Sequence, residues 1–434
     1  MNALKTAFWL YLFSFIAIFD LHAQYPILTP FAVSLGAAPS FIGLMMGLYS
    51  ITHLPGNMIA GWSVDRFGSR IFIVLSLMSA GFILLLQSRV DDPWQLLVLR
   101  SISGFVLAFL SPACMALLAR ITVDRFVLGK LMAGNGLVHT LASVASPAAG
   151  ALLVARLGFE MSFLALGWLL IGTSICALLF IRDIPPPAPP FPKARPSGEP
   201  PARAGEPPSG MPPAGTGPTP ASGMAMPVSA AAIPEAHAGA APSRITGPAD
   251  DHPPLPWPAY VLPVAMSCAQ GILSFELPML SLHGHGIMQT GLLFSVLSLG
   301  SLVTLGMLFL NRYSPLRRTM SGSLALAMAY FAAALGGLVP LPALLFIIGM
   351  AKGVIYPALN TLLIELTGNA KYGRTFSVLS IAYSVGAFLG PLTAGYIRDT
   401  VSPYFVAFLV LMTGAMLLPF AGSHRPNAAS PRIG

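Results

Sequence analysis

Apolar runs of about 20 residues recur along both ends of this chain, separated by short polar breaks. A helix that crosses the hydrocarbon core of a membrane needs about 20 mostly apolar residues, because each residue adds about 1.5 Å of length. Of the 434 residues, 55% are hydrophobic and only 9% are charged, which is not the balance of a soluble globular domain. The chain is therefore predicted to be an all-α membrane protein.

Twelve such segments are predicted, six in each half, and we number them segments 1 to 12. The first run is longer than the apolar core of a signal peptide, about 7 to 15 residues, so we expect it to be retained as a helix. The predicted segments cover 7–35, 41–63, 71–87, 93–119, 131–155 and 161–181 in the first half, and 257–282, 291–310, 320–338, 341–366, 376–397 and 404–420 in the second.

The stretch between the two halves has a different composition. Residues 183–256 hold 22 of the 41 prolines and a single aromatic residue. Such a composition cannot bury enough apolar surface to offset the entropy of ordering, so we expect a disordered cytosolic linker that tethers the halves, with a docking role as the alternative. The predicted domains are an N-terminal six-helix bundle (1–182), the linker, a C-terminal six-helix bundle (257–422) and a cytosolic tail (423–434).

The basic residues predict the topology. If both termini are cytosolic, 18 of the 23 Lys and Arg residues lie inside, whereas only Arg89, Arg156 and Arg398 lie outside; Arg100 and Lys352 lie within the membrane. The positive-inside rule then favours a multi-pass protein of the inner (plasma) membrane with both termini in the cytosol. The net charge of +8 is explained by these loops, and it requires no nucleic-acid partner.

The two halves also resemble each other at an offset of about 242 to 246 residues. PACMALLAR from Pro112 in segment 4 matches PALNTLLIE from Pro357 in segment 10, and SPAAG from Ser146 in segment 5 matches GPLTAG from Gly390 in segment 11. These matches are in register, so they indicate a duplicated six-helix unit, which is typical of transporters.

A charged turn, GWSVDRFGSR, follows segment 2. With twelve segments in two related sixes, it resembles the major facilitator superfamily, and most closely its proton-coupled drug and metabolite efflux branch. The resemblance implies two pseudo-symmetric six-helix bundles that rock about a central site and give alternating access. It also implies a conformational switch on the cytosolic side, although the same charges could simply fix the topology. The implied switch residues are Gly61, Asp65, Arg66, Gly68, Arg70 and, as an ion-pair partner after segment 4, Asp124.

Segments 5 and 11 carry small residues beside a proline. The efflux branch usually has a Gly-x-x-x-Gly-Pro run in segment 5, but here two of its glycines are missing and segment 11 has the run instead. Because any membrane bundle can use small-residue contacts, this departure leaves import open beside export. The predicted helix-packing residues are Ser146, Pro147 and Gly150 in segment 5, and Gly386, Gly390, Pro391 and Gly395 in segment 11.

Four charged residues fall well inside the segments: Asp20, Arg100, Glu276 and Lys352. A charge at the bilayer centre costs on the order of 2.5 to 3.5 kcal/mol on insertion scales, so a partly paired, water-accessible site is expected. Asp20 is the first candidate for carrying a proton and Glu276 the second; either could instead be structural. The resemblance links Arg100 to proton coupling, with snorkelling to the surface as the alternative. Lys352 would attract an anionic substrate or hold Glu276.

These four residues, with Tyr25 and Tyr356, are the predicted lining of a substrate cavity. Their surroundings suit an amphipathic organic compound better than a bare ion. His22 and His139 also fall in apolar runs, where a hydrogen-bonded packing role is the expectation. The chain has no Gly-rich nucleotide motif and no metal-ligand spacing, so no cofactor or metal is expected.

The sequence therefore predicts a secondary active transporter rather than an enzyme. We expect a monomer in the lipid bilayer that exports a drug-like molecule, siderophore or metabolite in exchange for protons. One alternative is an importer or facilitator of an organic acid or sugar in the same fold, with Arg100 and Lys352 as substrate anchors. The other is a transport-dead membrane receptor or assembly protein that docks through the linker.

Overall fold

A computed structural model describes residues 3–122, 124–182, 256–280, 286–337, 339–367 and 372–422, and these residues form helices and no strands. The first half contains α1 (Ala3–Ala23), α2 (Tyr25–Ser34), α3 (Pro39–Phe67), α4 (Ser69–Gln87), α5 (Pro93–Leu107), α6 (Leu110–Ala119) and α7 (Arg125–Phe180). The second contains α8 (Trp257–Leu280), α9 (Gly286–Gly306), α10 (Pro315–Leu335), α11 (Leu341–Thr367), α12 (Tyr372–Ile397) and α13 (Pro403–Leu417). The predicted tail and all of the predicted linker except Pro256 lie outside the described residues.

These helices form twelve membrane-crossing segments in two six-helix bundles, as predicted. By length and composition, nine helices of the described ranges are apolar enough to span a membrane. The difference has two sources. The long helix α7 contains segments 5 and 6, which meet at Gly158, where φ is 79°. In addition, α3 and α10 carry polar residues such as His53, Asn57 and Arg317, which lower their hydropathy.

Prolines break two segments that were predicted to be continuous. Segment 1 is divided at Gln24, two residues before Pro26 in the first turn of α2. Segment 4 is divided at Ala108, four residues before Pro112. Proline has no N–H to donate, and its ring clashes with the carbonyl four residues earlier, so a helix tends to end or bend there. The break at Gln24 lies four residues after Asp20, the one charged residue of segment 1.

The bundles pack directly against each other near one face of the molecule. We call the face that carries Arg66, Arg70, Arg120, Arg312 and Arg317 the basic face, and the face with the turns at 35–38, 88–92 and 398–402 the opposite face. A Cβ atom added to Gly43 of α3 would meet the carbonyl group of Pro391 in α12, and one added to Gly291 of α9 would meet that of Pro147 in α7. Both contacts lie in the halves of these helices next to the opposite face.

Candidate functional site

A cavity of about 290 Å³ lies between the two bundles, and we call it the central cavity. Helices α1, α2 and α7 supply one wall, and α8, α9 and α11 supply the other. Among the described residues, Lys352 is the only lysine or arginine in its lining, and no carboxylate lines it. The polar lining consists of His22, Tyr25, His139, Thr140, Ser143, Gln270, Ser298, Ser301, Lys352, Tyr356 and Asn360.

Lys352 is held in this wall by neutral groups. Its Nζ atom donates a hydrogen bond to Oε1 of Gln270, and Nε2 of Gln270 donates to Oγ of Ser274 at 3.1 Å. The Nζ atom also lies 6.0 Å from the ring centroid of Tyr356, within the range of a cation–π interaction. We call Gln270, Ser274, Lys352 and Tyr356 the lysine cluster. Within the described residues, no carboxylate forms an ion pair with Lys352.

The first bundle contains a second polar cluster that includes an acid. Nε2 of Gln24 lies 3.0 and 2.9 Å from the two carboxylate oxygens of Asp20, and Oε1 of Gln24 accepts a hydrogen bond from Nη1 of Arg100 at 2.6 Å. The guanidinium carbon of Arg100 lies 4.6 Å from the ring centroid of Tyr49. We call these four residues the arginine cluster. Asp20, Gln24 and Arg100 are only 1%, 2% and 5% exposed. Charges on Asp20 and Arg100 therefore depend on these contacts for their stabilisation.

Gln24 is the functional candidate that sequence reasoning missed, because a neutral amide in an apolar run attracts no notice. Two signals were present. Gln24 follows Asp20 by four residues, which places both on one face of a helix. It also precedes Gln270 by 246 residues, within the repeat offset of the two halves. An amide both donates and accepts, so Gln24 can join a carboxylate to a guanidinium group.

The predicted cavity residues are distributed over several places. Tyr25, Lys352 and Tyr356 line the central cavity. Arg100 lines a neighbouring cavity of about 140 Å³, which also contacts Gln24, Tyr25 and Gln270. Asp20 lines neither cavity and is covered by Gln24.

Glu276 is also separate from both cavities. Its side chain is 8% exposed in α8 and lies close enough to Tyr404 of α13 for electrostatic interaction. Lys352 contacts Gln270 instead of this acid, so the structure does not bring Lys352 and Glu276 together.

His22 and His139 face the central cavity, whereas a packing role was expected from the sequence. Their ring centroids are 6.1 Å apart. The Nδ1 atom of His22 lies 3.1 Å from the carbonyl oxygen of Ile18, which can only accept, so Nδ1 carries the hydrogen in this contact. The sequence pattern could not show this position, because it depends on how α1 and α7 pack.

The predicted switch residues lie at the basic face. Gly68 joins α3 to α4 with a φ of 92°, a conformation that favours glycine. Arg70 donates to the carbonyl oxygen of Leu178 at 2.5 Å and so ties α4 to the end of α7. Arg66 lies over the ring of Trp62 at 5.1 Å. Gly61 lies within α3 and Asp124 is exposed, whereas the side chain of Asp65 lies outside the described residues.

The predicted packing residues lie at close helix contacts. A Cβ atom on Gly150 would meet the backbone of Ala23, at the break in segment 1. Cβ atoms on Gly386 and Gly390 would meet the backbone of α8, and one on Gly395 would meet that of Pro39. Ser146 is fully buried beside Pro147. Segment 11 therefore approaches both α8 of its own bundle and α3 of the other.

Comparison with known proteins identifies the family. The family model described as Major Facilitator Superfamily matches residues 10–391 and 317–432. The chain belongs to this superfamily. A crystal structure of a bacterial homologue of the human lysosomal transporter Spinster, in an inward-facing and occupied conformation, matches with a TM-score of 0.68 at 14% identity, covering 98% of both chains. This match extends the shared fold over nearly the whole protein.

Two curated relatives match shorter regions. An MFS-type transporter of Methanocaldococcus jannaschii is 26% identical over 180 residues, 42% of this chain and 46% of that protein. A multidrug resistance protein B homologue of Mycobacterium tuberculosis is 29% identical over 158 residues, 36% of this chain and 29% of that protein. The chain thus spans less than half the length of the curated relatives it matches, and they support family and fold.

Proposed function

We propose that this protein is a secondary active transporter that exports an amphipathic organic compound, such as a drug-like molecule or metabolite, in exchange for protons. The observation that carries the proposal is the buried chain Asp20–Gln24–Arg100 beside cavities that lie between two bundles. The name of the mycobacterial multidrug resistance relative supports export. In this proposal the protein works as a monomer in the plasma membrane, with both termini in the cytosol.

The arginine cluster provides a way to couple a proton to a structural change. When Asp20 is ionised, its charge balances that of Arg100 through the amide group of Gln24. When Asp20 takes up a proton, Arg100 loses this compensation in a medium where an unbalanced charge is costly. Arg100 and Gln24 both line the smaller cavity, so their rearrangement would change the wall between the two bundles. Glu276 remains the second candidate for proton binding.

Alternating access requires the bundles to separate at one face and meet at the other. In this structure they pack together near the opposite face, at Gly43 and Gly291. If the termini are cytosolic, the structure is the inward-facing state. The outward-facing state would bring the bundles together at the basic face, where Asp65, Arg66, Arg70 and Asp124 lie. These residues would then act as the switch that the sequence motif implies.

Transport into liposomes that contain a pH-sensitive dye tests this function. A proton gradient is imposed, and drug-like compounds and organic acids are added outside. Exchange raises the internal pH as substrate enters, because protons leave; symport, as in an importer, lowers it; and a facilitator changes it little. We expect exchange in the wild type and none in Asp20→Asn, with exposed Asp399→Asn as the matched control.

Each alternative result has a defined meaning. Substrate movement that ignores the gradient and survives Asp20→Asn would overturn proton coupling. Coupled exchange that persists in Asp20→Asn but is abolished in Glu276→Gln would transfer the proton site to α8. A protein that binds substrate but moves none under any gradient would favour the receptor alternative.

A further inference from the structure

The lysine cluster places a base in the wall of the central cavity. We infer that the substrate is a compact amphipathic organic anion whose acidic group is bound by Lys352 in the central cavity. The transport role of this site rests on the proposed function, whereas the binding preference can be measured without it.

The described wall of the central cavity carries a base without a matching acid. The central cavity contains the Lys352 ammonium group, and its other described polar groups are amides, hydroxyls and imidazoles. A cation surrounded by protein and lipid interacts strongly with charges, because the effective dielectric constant is low. Gln270 offers Lys352 a neutral oxygen and no negative charge. An anionic ligand would therefore supply the missing countercharge, whereas a cationic ligand would be repelled.

The bases of the two clusters, Arg100 and Lys352, differ in whether an acid balances them. A buried base in this fold does not have to be open to a ligand, because Arg100 is balanced by Asp20 through Gln24. Lys352 has the matching glutamine, but the amide group of that glutamine is bound to Ser274 rather than to an acid. Lys352 therefore presents to the cavity a positive charge that no described carboxylate compensates.

The apolar part of the lining determines the rest of the ligand. Phe294, Leu297 and Leu305 of α9 face the cavity, and the ring of Tyr25 lies 5.7 Å from that of Phe294. These side chains can cover one or two aromatic rings at a distance from the ammonium group. A volume of about 290 Å³ is at the lower end of ligand pockets, which span about 300 to 1,000 Å³. It favours a small aromatic acid over a bulky siderophore.

Three probes of nearly the same shape test this inference: naphthalene-2-carboxylate, its neutral amide, and 2-naphthylmethylammonium. Their binding to the full-length protein in lipid nanodiscs is measured by equilibrium dialysis at pH 7, with no gradient. We expect the carboxylate to bind best and the ammonium probe worst. Because Lys352→Met removes a charge-assisted hydrogen bond to the ligand, it should weaken carboxylate binding about tenfold or more and change amide binding little. Lys352→Arg should retain the preference, as should Lys130→Met at an exposed lysine of α7.

Two results would overturn the inference. One is equal or better binding of the amide or ammonium probe by the wild type. The other is a Lys352→Met protein that still prefers the carboxylate. If Lys352→Met does not fold, as judged by size-exclusion chromatography, the wild-type series and Lys352→Arg still decide the question. Loss of proton coupling in liposomes with an intact anion preference would count against the proposed exchange mechanism and leave the substrate class standing.

Discussion

The arginine cluster and the lysine cluster are related features of the two bundles, but only the arginine cluster contains an acid that balances its base. Gln24 and Gln270 lie 246 residues apart, and each accepts a hydrogen bond from a base on the fourth segment of its own bundle. In the first bundle the glutamine amide binds the carboxylate of Asp20; in the second it binds the hydroxyl group of Ser274. The duplicated unit thus presents a balanced, buried pair on one side and an unbalanced base on the other. In the proposed mechanism, this difference would allow one bundle to hold the proton and the other to hold the substrate.

The largest expected effect comes from removing each glutamine in turn. Hydrogen bonds to charged groups contribute about 1.5 to 3 kcal/mol each, and Gln24→Leu removes such bonds to both Asp20 and Arg100. Gln270→Leu removes only one, to Lys352. We expect Gln24→Leu to lower the thermal unfolding midpoint more than Gln270→Leu and to reduce proton-driven flux at least about tenfold.

Unfolding in detergent and liposome flux measure the two quantities separately. Glutamate is the informative second substitution at each site, because it keeps the acceptor and adds a charge. Gln270→Glu should neutralise Lys352, whereas Gln24→Glu places a second acid beside Asp20. Equal stability losses in the two leucine variants would contradict the asymmetry between the clusters.

A second substitution would make the clusters alike. Ser274→Asp places a carboxylate beside Gln270, one turn further along α8, and so gives the lysine cluster the acid that it lacks. With Lys352 balanced, binding of naphthalene-2-carboxylate should fall about tenfold, and the preference over the neutral amide should disappear. Ser274→Asn is the matched control, because it has nearly the same shape without the charge. An anion preference that survives Ser274→Asp would show that Lys352 does not set the charge selectivity.

Much of the fold was predictable from the sequence, and much of the site was not. The twelve segments follow from apolar run length, which is a local property, and the duplication is visible in matches such as Pro112 with Pro357. The breaks at Gln24 and Ala108 were signalled by the prolines that follow them, but run length hides them.

The site depends on packing between helices, which no local pattern records. Asp20 and Arg100 stood out because charges are rare in apolar segments. The neutral Gln24 that joins them did not, and neither did the cavity positions of His22 and His139. Whether Lys352 pairs with Glu276 depends on how α8 and α11 pack against each other. The sequence therefore left open whether Lys352 binds this acid or an anionic substrate.

The smallest expected effect concerns the connection between the bundles. The polar contacts of each cluster lie within its own bundle, and the close contacts between bundles include those of α3 with α12, α7 with α9 and α2 with α9. Because these contacts are made by the helices themselves, we expect the tether predicted for residues 183–256 to be replaceable. Deleting most of it raises the effective concentration of one bundle near the other and adds no contact. We expect transport by the deletion variant to stay within about twofold of wild type if the remaining chain spans the gap.

A matched variant with a Gly/Ser segment of the original length separates the effect of length from that of sequence. Loss of activity in both variants would show that the native sequence of this stretch is needed, and would revive the docking-protein alternative.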